Sequence, residues 1–249
     1  MCSVTFWPRR RGFVLGMNRD EQRSRVAGQP PARFILGERT VVHPREPAGG
    51  TWISVNDHGV CFALVNWYAI PARAPLHTVS RGEVVLAVRA CGTGAEAEDQ
   101  VAALPLPRMN PFRLVGFFEA EQRVLEWRWD GRERAAIHHP WSARQWLSSG
   151  FDEPTAQRRR SAAYQRALSE PDTGSTEWLR RLHGSHEPDR GPFSTCMHRS
   201  DAATVSYTEV EVGEAEVVMR HCNGPLCAGG PLEQIAAPLG GRTLHCAEQ

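Results

Sequence analysis

Cys2 and the run Gly16-Met17-Asn18-Arg19-Asp20-Glu21 are separated by little more than one short hairpin. Residues 2–7 and 12–17 read as two strands joined by a basic turn from Pro8 to Arg11, which returns Arg19 and Asp20 to the neighbourhood of Cys2. Removal of Met1 is expected because Cys2 is small, and it leaves one residue carrying both a thiol and a free α-amine. That amine has an ordinary pKa of about 7.7–8.0, so near neutrality it can take the thiol proton and later return it. Arg19 is always charged and can hold a neighbouring thiolate, while Asp20 can orient the ammonium by a charge-assisted hydrogen bond. Each residue also has a plainer reading: Cys2 as a packed small residue on a strand, Arg19 and Asp20 as an ion pair at a strand end.

The elements that must position these groups follow in order. Gln29-Pro30-Pro31 reads as a loop, and Phe34-Ile35-Leu36 and Val41-Val42-His43 flank a short turn. Pro44 to Gly50 has turn chemistry, and residues 51–55 and 60–66 follow as strands around Asp57-His58-Gly59. Ser80-Arg81-Gly82-Glu83 has capping-box spacing and opens a helix that Gly92 stops, and residues 94–104 make a second. Residues 112–119 and 123–129 return to strands, with Leu125, Trp127 and Trp129 on one core face and Glu126 and Arg128 on the other. Asp130-Gly131 closes the next hairpin, and residues 141–151 read as a transition. Helices are expected over 152–169, with Arg158-Arg159-Arg160 on a solvated face, and over 175–183; strands resume over 194–198, 203–212 and 214–222. That order fits a sheet sandwich covered by helices on both sides, as one domain over residues 1–249.

Composition excludes several classes. Lys+Arg 29 against Asp+Glu 28 gives a net charge of +1, which supplies no field for nucleic acid or an anionic membrane. Seven cysteines without regular spacing argue against a disulfide framework and for a reducing compartment. No apolar run approaches the ~18 residues of a membrane span. Arg9-Arg10-Arg11 precedes too short an apolar stretch for a signal, so a cytoplasmic protein is expected.

Cys2, Asn18-Arg19-Asp20-Glu21, Gly49-Gly50-Thr51-Trp52 and Asn56-Asp57-His58-Gly59-Val60, in that order, resemble the NRDE family, that of transport and Golgi organisation protein 2. The spacing is also similar to the choloylglycine hydrolase and penicillin V acylase branch of N-terminal nucleophile hydrolases, against whose second element Ser54 to Asn66 reads well. The resemblance is strong over residues 1–70 and looser beyond. It implies an α+β fold, a four-layer αββα sandwich of N-terminal nucleophile hydrolase type. It also implies hydrolysis of a non-peptide C–N amide bond through a Cys2 thioester, without a cofactor. Arg19 and Asp20 would arrange the amine end, and Asn66 would form part of the oxyanion hole; alternatively Asn66 caps a turn into Trp67-Tyr68.

One departure stands out. The branch carries a second asparagine in mid-chain, where this sequence has Leu147-Ser148-Ser149-Gly150, which leaves a serine hydroxyl as the candidate donor of the missing bond. Arg199 is the nearest match to a later arginine of the branch, and His198 beside it reads as structural. Asn18, Trp67, Ser148 and Ser149 are expected along the substrate-binding surface. A different class is also open: a non-catalytic family member that binds or traffics a hydrophobic ligand such as haem or a lipid-derived metabolite. The partner is therefore a small-molecule amide or a hydrophobic ligand, and homo-oligomerisation is left open. No metal site is expected. His221, Cys222, Cys227, His245 and Cys246 gather near the C-terminus, but only Cys222 and Cys227 loosely meet zinc-ligand spacing. Cys61 and Cys91 sit in apolar runs and read as buried and inert.

Overall fold

The computed structural model describes residues 2–74 and 78–240. Two antiparallel sheets stack face to face. The first has six strands in the order β10-β1-β2-β11-β12-β13. These are β1 (Cys2–Pro8), β2 (Phe13–Gln22), β10 (Arg144–Ser148), β11 (Ala202–Val212), β12 (Glu216–Asn223) and β13 (Glu233–Pro238). The second has seven strands in simple sequence order. They are β3 (Gln29–Leu36), β4 (Arg39–Arg45), β5 (Ile53–Asn56), β6 (Val60–Asn66), β7 (Phe112–Phe118), β8 (Arg123–Trp129) and β9 (Arg134–Pro140).

Strand alternation explains the layers. On β1, Cys2, Val4 and Phe6 face the second sheet and join Val42, Val55, Cys61, Phe117, Trp146 and Met219 in the central core. Ser3 and Thr5 face the opposite way, toward α3 (Glu153–Ala167) and α4 (Thr176–Gly184), which pack Tyr164, Trp178, Leu179 and Leu182 on Val14. Helices α1 (Gly82–Val88) and α2 (Gly94–Ala102) cover the outer face of the second sheet, burying Val84, Val85, Val88, Ala97 and Val101 against Phe62, Leu125 and Trp127. The result is the expected αββα sandwich.

Local departures have physical causes. Gln29-Pro30-Pro31 is not a loop: it begins β3, an edge strand, where a register shift between Gln29 and Ala32 absorbs the prolines' missing N–H groups. Residues 144–148 form β10, which pairs with β1 and brings Ser148 opposite Cys2. Residues 194–198 form no strand beyond a single bridge from His198 to Ala203. The capping box at Ser80 does not form either. Arg81 occupies the N-cap in helical geometry with no side-chain cap, and the Ser80 hydroxyl accepts from Gly82 N–H (3.2 Å).

Between the sheets, the fully buried Glu126 of β8 accepts from Arg113 Nε (2.7 Å), Arg128 Nε (2.8 Å) and Trp146 Nε1 (3.2 Å), and bonds His139 Nε2 (2.7 Å). Burial alone would raise its pKa, but the bonds and charges of Arg128, Arg113 and His139 outweigh it and bring it down to about 2. The native carboxylate therefore binds its proton less tightly than the unfolded one, whose ordinary value is 4.5. This contribution to stability is present above pH 4.5 and is lost as pH falls toward 2. Glu126→Gln is expected to cost about 3 kcal/mol, because it leaves two arginines paired with an amide. A lower urea midpoint at pH 7 with an unchanged m-value is the predicted result.

Candidate active site

The β1–β2 hairpin sets Cys2 opposite Arg19, and β10 closes the other side with Ser148 opposite Cys2. Cys2 N–H donates to Ser148 Oγ (3.1 Å). Beyond the thiol lies a cavity of about 160 Å³, whose lining includes Cys2, Arg19, Trp52, Asn66, Arg81 and Asn110. Burial pushes the Cys2 thiol pKa up, with Asp20 adding to the rise and Arg19 opposing it. Such a thiol needs a base beside it to become a nucleophile.

Arg19 is held on three sides. Its guanidinium lies 4.6 Å from the Trp52 ring centroid, bonds Glu46 Oε1 (2.7 Å) and stands 3.7 Å from Glu21. Arg25 completes a four-membered network with Glu21 (2.8 Å) and Glu46 (2.5 Å). The Gly49-Gly50-Thr51-Trp52 element is explained by this wall. Gly49 has φ +101°, and a Cβ on Gly50 would stand 3.0 Å from the Gly82 backbone. That close approach docks the start of α1, and with it Arg81, over the cavity. Asn56 serves the fold: it accepts from His58 and Val60 N–H and donates to the carbonyls of Arg89 and Cys91.

Asp20 points to the helix-covered face. Its carboxylate accepts from Thr204 Oγ1 (2.7 Å) and pairs with Arg160 Nη1 (3.2 Å), and Arg160 also donates to Ser3 Oγ (2.8 Å). The expectation that Arg158, Arg159 and Arg160 share a solvated face is therefore corrected for Arg160, which is fully buried on α3. The signal was present: Ala156, Arg160, Ala163 and Ala167 recur at helical spacing, so Arg160 lies within an apolar stripe. A register shift between Thr204 and Ser206, opposite Arg19–Asp20, aims Thr204 at the carboxylate.

The remaining expected residues divide. Asn66 lines the cavity at the end of β6, with Nδ2 donating to Tyr68 OH (3.0 Å). Ser148 is not among the residues lining the cavity; its hydroxyl accepts from Cys2 N–H. Ser149 Oγ donates to Phe151 O (2.6 Å), and Trp67 lies under Arg128 (5.8 Å), both away from the cavity. Asn18 Nδ2 donates to the carbonyls of His183 and Thr195 (both 2.9 Å) and anchors the helix layer. Arg199 chelates Asp201 (2.9 and 2.7 Å) and borders a separate cavity reached past Asp20 and Glu21. Asn110, which sequence reasoning passed over, lines the Cys2 cavity. Its Oδ1 accepts from Ala74 N–H (3.1 Å), so its NH₂ end points away from that bond. Asn110 is thus a second side-chain amide in the cavity lining, beside Asn66.

The C-terminal histidines and cysteines, where no metal site is expected, make other contacts. His221 bonds Thr208 Oγ1 (2.9 Å) and Asn223 Oδ1 (3.2 Å), Cys222 is buried, and His245 and Cys246 lie outside the described residues.

With this geometry in place, comparisons with known proteins assign the chain. The family model for Transport and Golgi organisation 2 matches residues 1–126. The chain belongs to the Transport and Golgi organisation 2 family. Its fold is that of the N-terminal nucleophile hydrolases, as three solved structures show. A cysteine-to-alanine mutant of conjugated bile acid hydrolase from Clostridium perfringens has a TM-score of 0.57 at 8% identity, covering 94% of this chain and 92% of that one. An arginine-to-leucine variant of the same hydrolase has a TM-score of 0.54 at 8% identity, covering 96% of each chain. Penicillin V acylase from Agrobacterium tumefaciens has a TM-score of 0.50 at 11% identity, covering 90% of this chain and 84% of that one. No curated protein matches the sequence. Among the described residues of this family member, no helix is long and apolar enough to cross a membrane.

Proposed function

We propose that this protein is an N-terminal-cysteine amidohydrolase that cleaves a non-peptide C–N amide bond through a Cys2 thioester. One observation carries the reading: the Cys2 thiol faces a cavity that also holds two side-chain amides, Asn66 and Asn110. The mechanism requires Cys2 to be the first residue of the mature chain. Its nitrogen, held by Ser148 Oγ, is then an α-amine beside a thiol whose pKa burial has raised. The amine takes the thiol proton, and the sulfur attacks the amide carbonyl. The oxyanion of the tetrahedral intermediate forms against Asn66 and Asn110. As the C–N bond breaks, the α-ammonium protonates the departing amine, and the thioester remains. The amine then takes a proton from water, whose oxygen attacks the thioester; collapse releases the acid and restores the thiol. Arg19 supports the thiolate, and Asp20, fixed by Thr204 and Arg160, sets the field at the amine end.

The cavity also restricts the substrate. At about 160 Å³ it is smaller than the ~300–1,000 Å³ of typical small-molecule sites, so only the acyl end enters. Its wall carries Arg19, Glu21, Arg25, Glu46 and Arg81, which suits a short polar acyl group. It suits haem or a lipid-derived ligand poorly, which weakens the carrier reading at this site. A screen of amides with short polar acyl groups tests the proposal. Amine release in the wild type, with a thioester adduct found on quenching, is the expected result. Asn66→Ala is expected to lower kcat by about 10²–10³-fold with a smaller change in KM. Unchanged kcat in that variant would remove Asn66 from the oxyanion site.

A further inference from the structure

Outside the lining of the Cys2 cavity, four side chains from two segments converge. His186 and His198 approach through their Nε2 atoms (3.1 Å). Cys196 Sγ lies 3.6 Å from His198 Nε2 and 3.5 Å from Cys227 Sγ, and Cys227 Sγ lies 3.4 Å from His198 Nε2. All four ligand atoms fall within 4.8 Å of one another. We propose that His186, Cys196, His198 and Cys227 form a structural zinc site.

The spacing is the first argument. Tetrahedral zinc, with Zn–S of about 2.3 Å and Zn–N of about 2.0–2.1 Å, sets its ligand atoms about 3.8 Å (S–S), about 3.6 Å (S–N) and about 3.3 Å (N–N) apart. The separations in the protein lie within about 0.3 Å of these values, and the N–N separation is the shortest. Two thiolates and two imidazoles at tetrahedral spacing are the donor set of zinc rather than of a hard cation. Four protein ligands close the coordination sphere, which marks a structural site and leaves no position for substrate.

The second argument is what the site fastens. From Ser185 to Asp201 the chain runs without helix or strand apart from the bridge at His198. Long irregular stretches in a compact fold need something to hold them. Three ligands lie in this stretch, and Cys227 lies in the turn after β12, so the metal ties the stretch to the first sheet. Backbone bonds already shape it: Cys196 N–H donates to Ser185 O (2.9 Å) and His198 N–H to Gly191 O (3.0 Å). Zinc on Nε2 leaves Nδ1 of His198 carrying the proton, so the exposed Arg190, now 3.4 Å from Nδ1, turns outward on loading. One residue on from Cys196, Met197 N–H donates to Thr204 Oγ1 (2.9 Å), the same hydroxyl that donates to Asp20. The metal therefore braces the residue that fixes Asp20.

Tag-free full-length protein, purified reduced, tests the site by its metal content. About one zinc per chain is expected, at least tenfold less in Cys227→Ser, and no loss in Cys222→Ser. Cobalt(II) added to chelator-stripped wild type is expected to give the strong visible bands of a tetrahedral site and a thiolate charge-transfer band. Both should be missing in Cys227→Ser, whose exposed position spares the fold. A chelator should lower the wild-type melting temperature and leave that of Cys227→Ser unchanged. Equal zinc in wild type and Cys227→Ser overturns the proposal. So does a reduced, folded wild type that takes up neither zinc nor cobalt, or that closes a Cys196–Cys227 disulfide in place of binding metal.

Discussion

Cys2→Ala is expected to abolish amide turnover, by on the order of 10³-fold or more, while leaving a folded protein. The proposed acylation needs the thiol and the α-amine on one residue, and neither Asn66 nor Asn110 can replace that pair. Removing Sγ also removes the acid–base partner of the α-amine, so no residual pathway keeps the same nucleophile. The structural cost is small, because alanine keeps the β1 backbone bonds to Ser148 and Arg19 and fits the same strand position. Initial-rate kinetics on an amide found by the screen, with circular dichroism of both proteins, separate the two effects. Binding of the intact amide should survive in the variant. Turnover close to wild type would show that chemistry, if present, lies elsewhere, and retained affinity without any wild-type turnover would favour a carrier.

Arg160→Met is expected to destabilise the fold by about 3–5 kcal/mol, whereas Arg158→Ala and Arg159→Ala should stay within about 0.5 kcal/mol. The difference is one of burial. Arg160 and Asp20 are both fully shielded from solvent and lie 3.2 Å apart, so deleting the cation leaves a buried carboxylate without its paired charge. Arg159 faces Asp189 across an exposed 3.6 Å, and such pairs contribute little. Urea titration of Arg160→Met, Asp20→Asn and the double variant measures the coupling. The double variant should recover part of the loss, since it removes both buried charges. Additive losses would mean that the pair is not coupled. Activity should fall with Arg160→Met even where the protein stays folded, because Asp20 loses the partner that sets its position beside Cys2.

Much of this was legible in the sequence. The β1–β2 hairpin, the strand pair around Asp57-His58-Gly59 and all four helices are local, and their turn residues and periodicity announce them. What was not legible depends on pairing across long separations. β10 is recognised as a strand only because β1 is there to pair with it, and β13 only because β12 is. The same holds at the site. Asn110 reaches the cavity from the segment before β7, and Glu46 reaches Arg19 from the turn after β4. Arg160 looked like part of a basic run because adjacency in sequence hid its place in the α3 stripe. Cys227 was noted with Cys222, but Cys222 is buried near the end of β12 whereas Cys227 lies in the turn beyond it; its neighbours proved to be His186, Cys196 and His198.

The central claim is that Cys2 is an amino-terminal nucleophile, and mass spectrometry tests it most directly. The purified protein is weighed intact, exposed briefly to a limiting small acylating electrophile, weighed again and mapped by peptide. The account predicts a chain that begins at Cys2 and gains one acyl group there, ahead of the exposed Cys227. A chain that retains Met1, or an acyl group that reaches Cys227 and passes over Cys2, would contradict it.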